Sequence, residues 1–263
     1  MTGINQPEIL AEVDGTIGRI TINRPAKRNA MTLEMWRNLG QVLEGWQSDP
    51  RIRVLILAGA GDKSFCAGND IREYATIRAT AEQRVAYDSI TTRTYDLLKT
   101  FPRPTIARIT GYCVGGGMEL ALLCDLQIAA ASASFAVTPA RLGIGYKLED
   151  VKLLLENISP KHARELLYTA DKFSAQTAER WGLISRAVPD SQLDEELAAL
   201  ASSIAANAPL TVAALKFTIA EARKNEPDRE LCADLVKLCD ASDDRREGQT
   251  AFAEKREPVF HGK

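Results

Sequence analysis

The period of apolar and polar positions changes several times along the chain, and each change marks an element. Residues 8–23 hold two apolar stretches either side of Asp14-Gly15, a two-residue turn signal that predicts a β-hairpin. Asn23-Arg24-Pro25 closes its second strand. From Thr32 the period lengthens to that of a helix, with Leu33, Trp36, Leu39, Leu43 and Trp46 on one face until Asp49-Pro50 stops it. Val54–Ala58 is a continuous apolar run with the length of a buried parallel strand. A Gly-rich loop follows, then a helix over about 79–100, a strand over 104–109, a second Gly-rich turn at Gly115–Gly117, a short helix over 118–123 and a strand over 126–130.

Strand, loop, helix and strand in alternation predict an α/β core built of right-handed crossovers. Beyond Lys147 the pattern is helical, broken at Leu183–Val188. Ser174 is placed to cap a helix that ends at Gly182. Three further helical segments are expected near 190–206, 210–224 and 228–256. The chain therefore divides into a sheet-bearing core, 1–190, and a helical region, 191–263.

Composition narrows the function classes. With 263 residues, 45% hydrophobic and 26% charged, the chain suits one compact α/β domain, or one domain with an appendage. A formal net charge of -2 gives no basic face for nucleic acid and no attraction to an anionic membrane surface. The first ten residues lack a basic segment followed by an apolar one, so no signal peptide is expected. The most apolar stretch, Val114–Ala131, is interrupted by Glu119 and Asp125, so no membrane span is expected either. Five cysteines, an odd number without a C-x-x-C pair, suit free thiols in a reducing cytoplasm.

Chemistry is best sought where strands end in glycines and helices begin. In the first such loop, Ala58–Asp70, Gly68 precedes Asn69 and a helix start at Asp70. In the second, Gly111–Glu119, three glycines lead into a helix. The first N–H groups of a helix have no intrahelical partner, and glycine lets a ligand approach them. Two such ends facing each other would hold a developing anion; the equal alternative is that the glycines serve only to permit tight turns. Neither loop has the G-x-G-x-x-G or G-x-x-x-x-G-K-[ST] spacing of a nucleotide site. Only His162 and His261 are present, which leaves no histidine-built zinc site, and no G-x-S-x-G elbow occurs. His162, after Pro160, reads as a solvated surface residue.

Four segments carry a resemblance. Asn23–Met31, Phe65-Cys-Ala-Gly-Asn-Asp-Ile-Arg72, Gly111–Asp125 and Thr250–Arg256 resemble, in the same order, segments of the crotonase (enoyl-CoA hydratase/isomerase) superfamily. The resemblance implies a spiral of ββα units with a C-terminal helical trimerisation region, and a homotrimer or homohexamer. It implies an acyl-CoA substrate, with no separate cofactor. The oxyanion donors it implies are the backbone N–H groups of Asn69 and Gly116, with Glu119 close to the acyl carbons. Ala67 and the backbone around Lys27 and Arg28 would line the adenine pocket, and Arg72 would lie near the phosphates. Phe252 and Lys255 match residues that reach the CoA of a neighbouring subunit.

The chain departs from the family's hydratases at one place. They pair two glutamates, and at the second position this chain has Pro139. Thr138-Pro-Ala-Arg-Leu-Gly-Ile-Gly-Tyr146 instead resembles a segment of methylmalonyl-CoA decarboxylases in which threonine and tyrosine face the acyl group. Their histidine is replaced by Asn69. The expected chemistry is decarboxylation or another lyase step through a thioester enolate. Hydration or double-bond isomerisation with Glu119 alone is the alternative, and a non-catalytic acyl-CoA binding protein the second. Glu149 and Asp150 read as reserve acid/base groups, more in keeping with solvated helix-start charges.

Overall fold

The structure, a computed structural model, describes residues 7–263, and for residues 74 and 75 the backbone only. The start of the chain, read above for a leader, lies mostly outside the described residues. The hairpin forms as expected: β1 (Ile9–Asp14) and β2 (Ile17–Ile22) pair antiparallel around Gly15, whose φ of 55° suits a residue without a Cβ. Helix α1 (Leu33–Trp46) starts at Thr32, whose side chain accepts from the Met35 N–H. Its buried face carries Met35, Trp36, Leu39 and Leu43.

From there the chain repeats one unit. A strand enters a large sheet, a short strand enters a small one, and helices follow. The three turns of this spiral are β3 (Val54–Gly59), β4 (Ser64–Cys66), α2 (Ile71–Ile77) and α3 (Ala81–Lys99); then β5 (Thr105–Ile109), β6 (Tyr112–Val114) and α4 (Gly116–Leu123); then β7 (Leu126–Ala130), β8 (Ser134–Ala136), α5 (Pro139–Leu142), α6 (Leu148–Leu155) and α7 (Pro160–Thr169). Strand β9 (Phe173–Ser174), helix α8 (Ala175–Trp181) and strand β10 (Arg186–Val188) complete the two sheets. Among the described residues the large sheet runs β1-β2-β3-β5-β7-β10 and the small one β4-β6-β8-β9. Beyond the β1/β2 hairpin the large sheet is parallel, and in the small sheet only β8/β9 is antiparallel. This is the ββα spiral that the resemblance implied. The small-sheet strands escaped the pattern analysis because two or three residues are too few to show a period of two.

Strand β3 is buried along its whole length because both faces are covered. Leu55 and Leu57 join the main core with Trp36 and Leu39, whereas Val54 and Ile56 meet Leu193, Leu197 and Ala201 of α9 (Leu193–Ala205). Each such side chain contributes about 1.5–3 kcal/mol through burial. Helices α10 (Pro209–Ala222), α11 (Arg229–Ala241) and α12 (Asp243–Glu254) follow. The single helix expected over 228–256 is two helices. At Ser242 the backbone turns extended (ψ 156°), and its side chain accepts from the Arg245 N–H, so a new helix starts there with Asp243 and Asp244 in its first turn. Leu215, Ile219, Leu231, Val236, Leu238 and Phe252 stay exposed on these last helices. No single helix among the described residues is long and apolar enough to cross a membrane.

Candidate active site

The two Gly-rich loops meet where β4 and β6 end. After Cys66 the chain turns at Gly68 (φ 84°), whose N–H points to the Cys66 Sγ at 3.4 Å. Met31 then clamps the next peptide: its N–H donates to the Gly68 carbonyl, and its own carbonyl accepts from the Asp70 N–H, each at 2.8 Å. Asp70 caps α2 and pairs with Arg24 at 2.7 Å. On the other side Gly115 (φ 55°) donates to the Ala136 carbonyl at 3.0 Å, and Gly116 opens α4. Neither the Asn69 nor the Gly116 N–H donates to a protein acceptor among the described residues.

These loops pack too closely for side chains. A Cβ on Gly68 would stand 3.2 Å from the Gly116 nitrogen, and one on Gly117 would stand 2.2 Å from the Cys66 carbonyl oxygen. The glycines therefore permit close approach as well as turning. Two unpartnered N–H groups lie on adjoining loops, one of them at a helix start, which suits a developing oxyanion.

Glu119 stands beside this corner. Its Oε2 accepts from the Tyr95 hydroxyl at 2.8 Å, and a Cβ on Gly116 would be 3.5 Å from that hydroxyl and 3.9 Å from the same Oε2. Burial raises the pKa of the Glu119 carboxyl above its ordinary value, and the Asp150 charge adds to the shift; the Tyr95 hydrogen bond and Lys147 oppose it. A carboxyl whose pKa is raised in this way suits proton transfer. Burial also keeps the Tyr95 phenol protonated, so it remains a donor. The Tyr95 ring meets Trp36 edge-on at 5.3 Å, and Trp36 Nε1 in turn donates to Asn69 Oδ1 at 3.0 Å. Asn69 Oδ1 also accepts from the Tyr87 hydroxyl at 2.6 Å.

The segment that departs from the family's hydratases brings one residue, Tyr146, to Glu119. Thr138 precedes Pro139 at the start of α5 and makes no side-chain cap. Tyr146 packs against the main core, its hydroxyl buried near enough to Glu119 to feel its charge yet completing no hydrogen bond. Burial and the Glu119 charge keep this phenol protonated. Asp150 is half-buried rather than solvated; burial raises its carboxyl, and Glu149 and Asp88 raise it further against the pull of Lys147. The expectation of a solvated charge thus fails for Asp150, because α6 turns that residue towards α4. It holds for Glu149, which is exposed.

The remaining candidates fall into two groups. Arg28 and Ala67 adjoin, the Ala67 N–H donating to the Arg28 carbonyl at 3.1 Å, and Arg28 borders a cleft of ≈ 290 Å³ with Asn29, Ala60, Gly61 and Lys63. The Arg28 guanidinium sits 5.1 Å from the Tyr112 ring centroid, and Lys172 sits 4.8 Å from it. Lys27 and Arg72 are exposed nearby, on the 3₁₀ turn Pro25–Lys27 and on α2. Phe252 lies on α12, 88% exposed, and Lys255 follows it as the residue that ends the helix. The Cys66 thiol, pushed up to about 12 by burial, is no nucleophile. His162 is not a solvated residue: its ring stacks on Trp181 at 4.7 Å and its Nδ1 is buried. The pattern analysis missed Trp36, Tyr87 and Tyr95 as site residues, for nothing in their helical spacing separates a core aromatic from one that ends in the site.

Comparison with known proteins bears on the same residues. The family described as Enoyl-CoA hydratase/isomerase matches residues 12–263. The crotonyl-CoA hydratase of Syntrophomonas wolfei is 33% identical, covering 97% of this chain and 98% of its own. The carnitinyl-CoA dehydratase of Proteus mirabilis is 37% identical over 95% of this chain and 96% of its own. Among solved structures, an enoyl-CoA hydratase/carnithine racemase from Magnetospirillum magneticum superimposes with a TM-score of 0.94 at 37% identity, covering 98% of this chain and 97% of its own.

Proposed function

Because the chain belongs to the enoyl-CoA hydratase/isomerase family, whose members act on CoA thioesters, we propose that it adds water to, or removes it from, the α and β carbons of an acyl-CoA. The observation that carries this reading is Glu119, half-buried, hydrogen-bonded to Tyr95 and beside the Gly116 backbone. The names of the hydratase and dehydratase relatives support it.

In the hydration direction the thioester oxygen accepts from the Asn69 and Gly116 N–H groups. Glu119, as carboxylate, takes a proton from water while the water oxygen bonds to the β carbon. The electron pair of the double bond moves to the thioester oxygen as an enolate. Glu119 then returns the proton to the α carbon, and the reverse sequence eliminates water. Tyr95 occupies Oε2 throughout and leaves the other carboxyl oxygen for the proton. One preorganised oxyanion donor is typically worth about 3 kcal/mol of barrier. General acid–base catalysis typically adds about 10²–10⁴-fold.

Decarboxylation is the second reading. Pro139 in place of a second glutamate favours it, as does the buried hydroxyl of Tyr146 without a hydrogen-bond partner among the described residues. It takes second place because a departing carboxylate needs no base, whereas this site builds an elaborate setting for one. Incubation with crotonyl-CoA, 3-hydroxybutyryl-CoA and methylmalonyl-CoA, followed by mass spectrometry, separates the readings. Gain or loss of 18 mass units on the order of a full turnover supports the first. Loss of CO2 alone overturns it.

A further inference from the structure

The side chain of Asn69 has a role that its backbone does not explain. Its Oδ1 accepts two hydrogen bonds, from Trp36 Nε1 at 3.0 Å and from the Tyr87 hydroxyl at 2.6 Å. Indole nitrogen can only donate, so the amide atom facing Trp36 must be the oxygen, and the amide cannot flip. The Nδ2 group is thereby fixed on the far side of the amide from both rings. It donates to no acceptor among the described residues, and Asn69 is only partly buried. Trp36, which pins one end of this amide, touches Tyr95, and Tyr95 holds Glu119. The amide is thus linked to the Glu119 carboxyl through Trp36 and Tyr95.

We infer that Asn69 Nδ2 donates a hydrogen bond to an oxygen carried on the substrate's β position, so that the enzyme prefers oxygen-bearing acyl groups to plain hydrocarbon ones. The chemistry recognised is an acceptor oxygen two carbons from the thioester. It can come from a hydroxyl, as in a 3-hydroxyacyl group, or from a carboxylate, as in a malonyl group. An unpaired amide donor discriminates well, because a ligand without the acceptor leaves it unsatisfied once water is displaced. The inference rests on the acyl group lying between Asn69 and Gly116, and it specifies what that group carries.

The test is a set of dissociation constants from calorimetry for 3-hydroxybutyryl-CoA, malonyl-CoA and butyryl-CoA. Asn69→Asp keeps the oxygen that Trp36 and Tyr87 need and replaces only the donor; Asn69→Ala removes both without adding charge. Each variant is expected to bind one of the oxygenated thioesters about tenfold more weakly, with butyryl-CoA changed about twofold or less. Which oxygenated ligand is affected identifies the source of the oxygen. Equal changes for all three ligands, or none, would overturn the inference. If Asn69→Ala does not fold, Asn69→Asp decides through 3-hydroxybutyryl-CoA against butyryl-CoA, whose acyl groups are uncharged, because the new carboxylate repels a malonyl group whatever the amide does. A wild-type protein that fails to bind even butyryl-CoA would instead refute the acyl-CoA reading.

Discussion

The Tyr95 hydroxyl donates to Glu119 Oε2 at 2.8 Å, and both stand within van der Waals reach of a side chain that Gly116 does not have. A carboxyl, the phenol that holds it and the Gly116 backbone thus occupy one corner. Tyr95 stabilises the charged form of Glu119, so removing its hydroxyl raises the Glu119 pKa further. Tyr95→Phe is expected to move the acid limb of the kcat/KM profile to higher pH and to lower kcat about tenfold or more. A profile measured in parallel with wild type checks both.

Stability should run against catalysis at Glu119. Its pKa is raised in the fold, chiefly by burial, so the unfolded chain releases the proton first. Wild-type stability is then complete below the ordinary carboxylate pKa and falls as pH rises towards the folded value. Glu119→Gln lacks this penalty and can still accept from Tyr95. Its Tm is expected to exceed that of wild type at pH 8 and to match it near pH 4, by calorimetry at the two pH values.

Neighbouring glycines should separate fold from function. At Gly116 a Cβ meets nothing nearer than 3.5 Å, whereas at Gly117 it meets the Cys66 carbonyl oxygen at 2.2 Å. Gly116→Ala is expected to fold with a Tm near that of wild type and to lose about 10²-fold or more in kcat/KM, since the methyl crowds the oxyanion position. Gly117→Ala is expected to lower Tm severely or to prevent soluble expression. Thermal scans and a single activity assay distinguish the two.

The apolar side chains left exposed on α10, α11 and α12, with Phe252 88% exposed among them, lead us to expect a trimer or hexamer in solution. Light scattering at micromolar concentration measures this, and Phe252→Glu should shift the mass downward.

Much of this arrangement was legible from residue patterns, and the losses have physical causes. A long amphipathic element such as α1 announces itself through a 3.6-residue period, and Thr32 caps it where expected; α3 lies within the helix expected over 79–100, with Thr80 as its cap. Strands β4, β6 and β8 span three residues each, too short for any period. The break at Ser242 hid because no proline or glycine marks it and no apolar side chain between Ala241 and Ala251 shows the change of helix axis. Gly68 and Gly116 could be singled out because glycines before a helix start leave N–H groups uncovered. Trp36, Tyr87 and Tyr95 could not, because their hydroxyl and indole groups acquire a role only when α1 and α3 pack beside the loops. Asp150 was underestimated for the same reason: burial is a property of the packed chain.

The most direct measurement compares kcat for Glu119→Gln and Tyr146→Phe on crotonyl-CoA and methylmalonyl-CoA in parallel. If Glu119 carries the proton between water and the α carbon, the wild-type enzyme hydrates crotonyl-CoA. Glu119→Gln then lowers that rate about 10²–10⁴-fold and Tyr146→Phe lowers it far less. Turnover confined to methylmalonyl-CoA, with Tyr146→Phe more damaging than Glu119→Gln, would contradict the account.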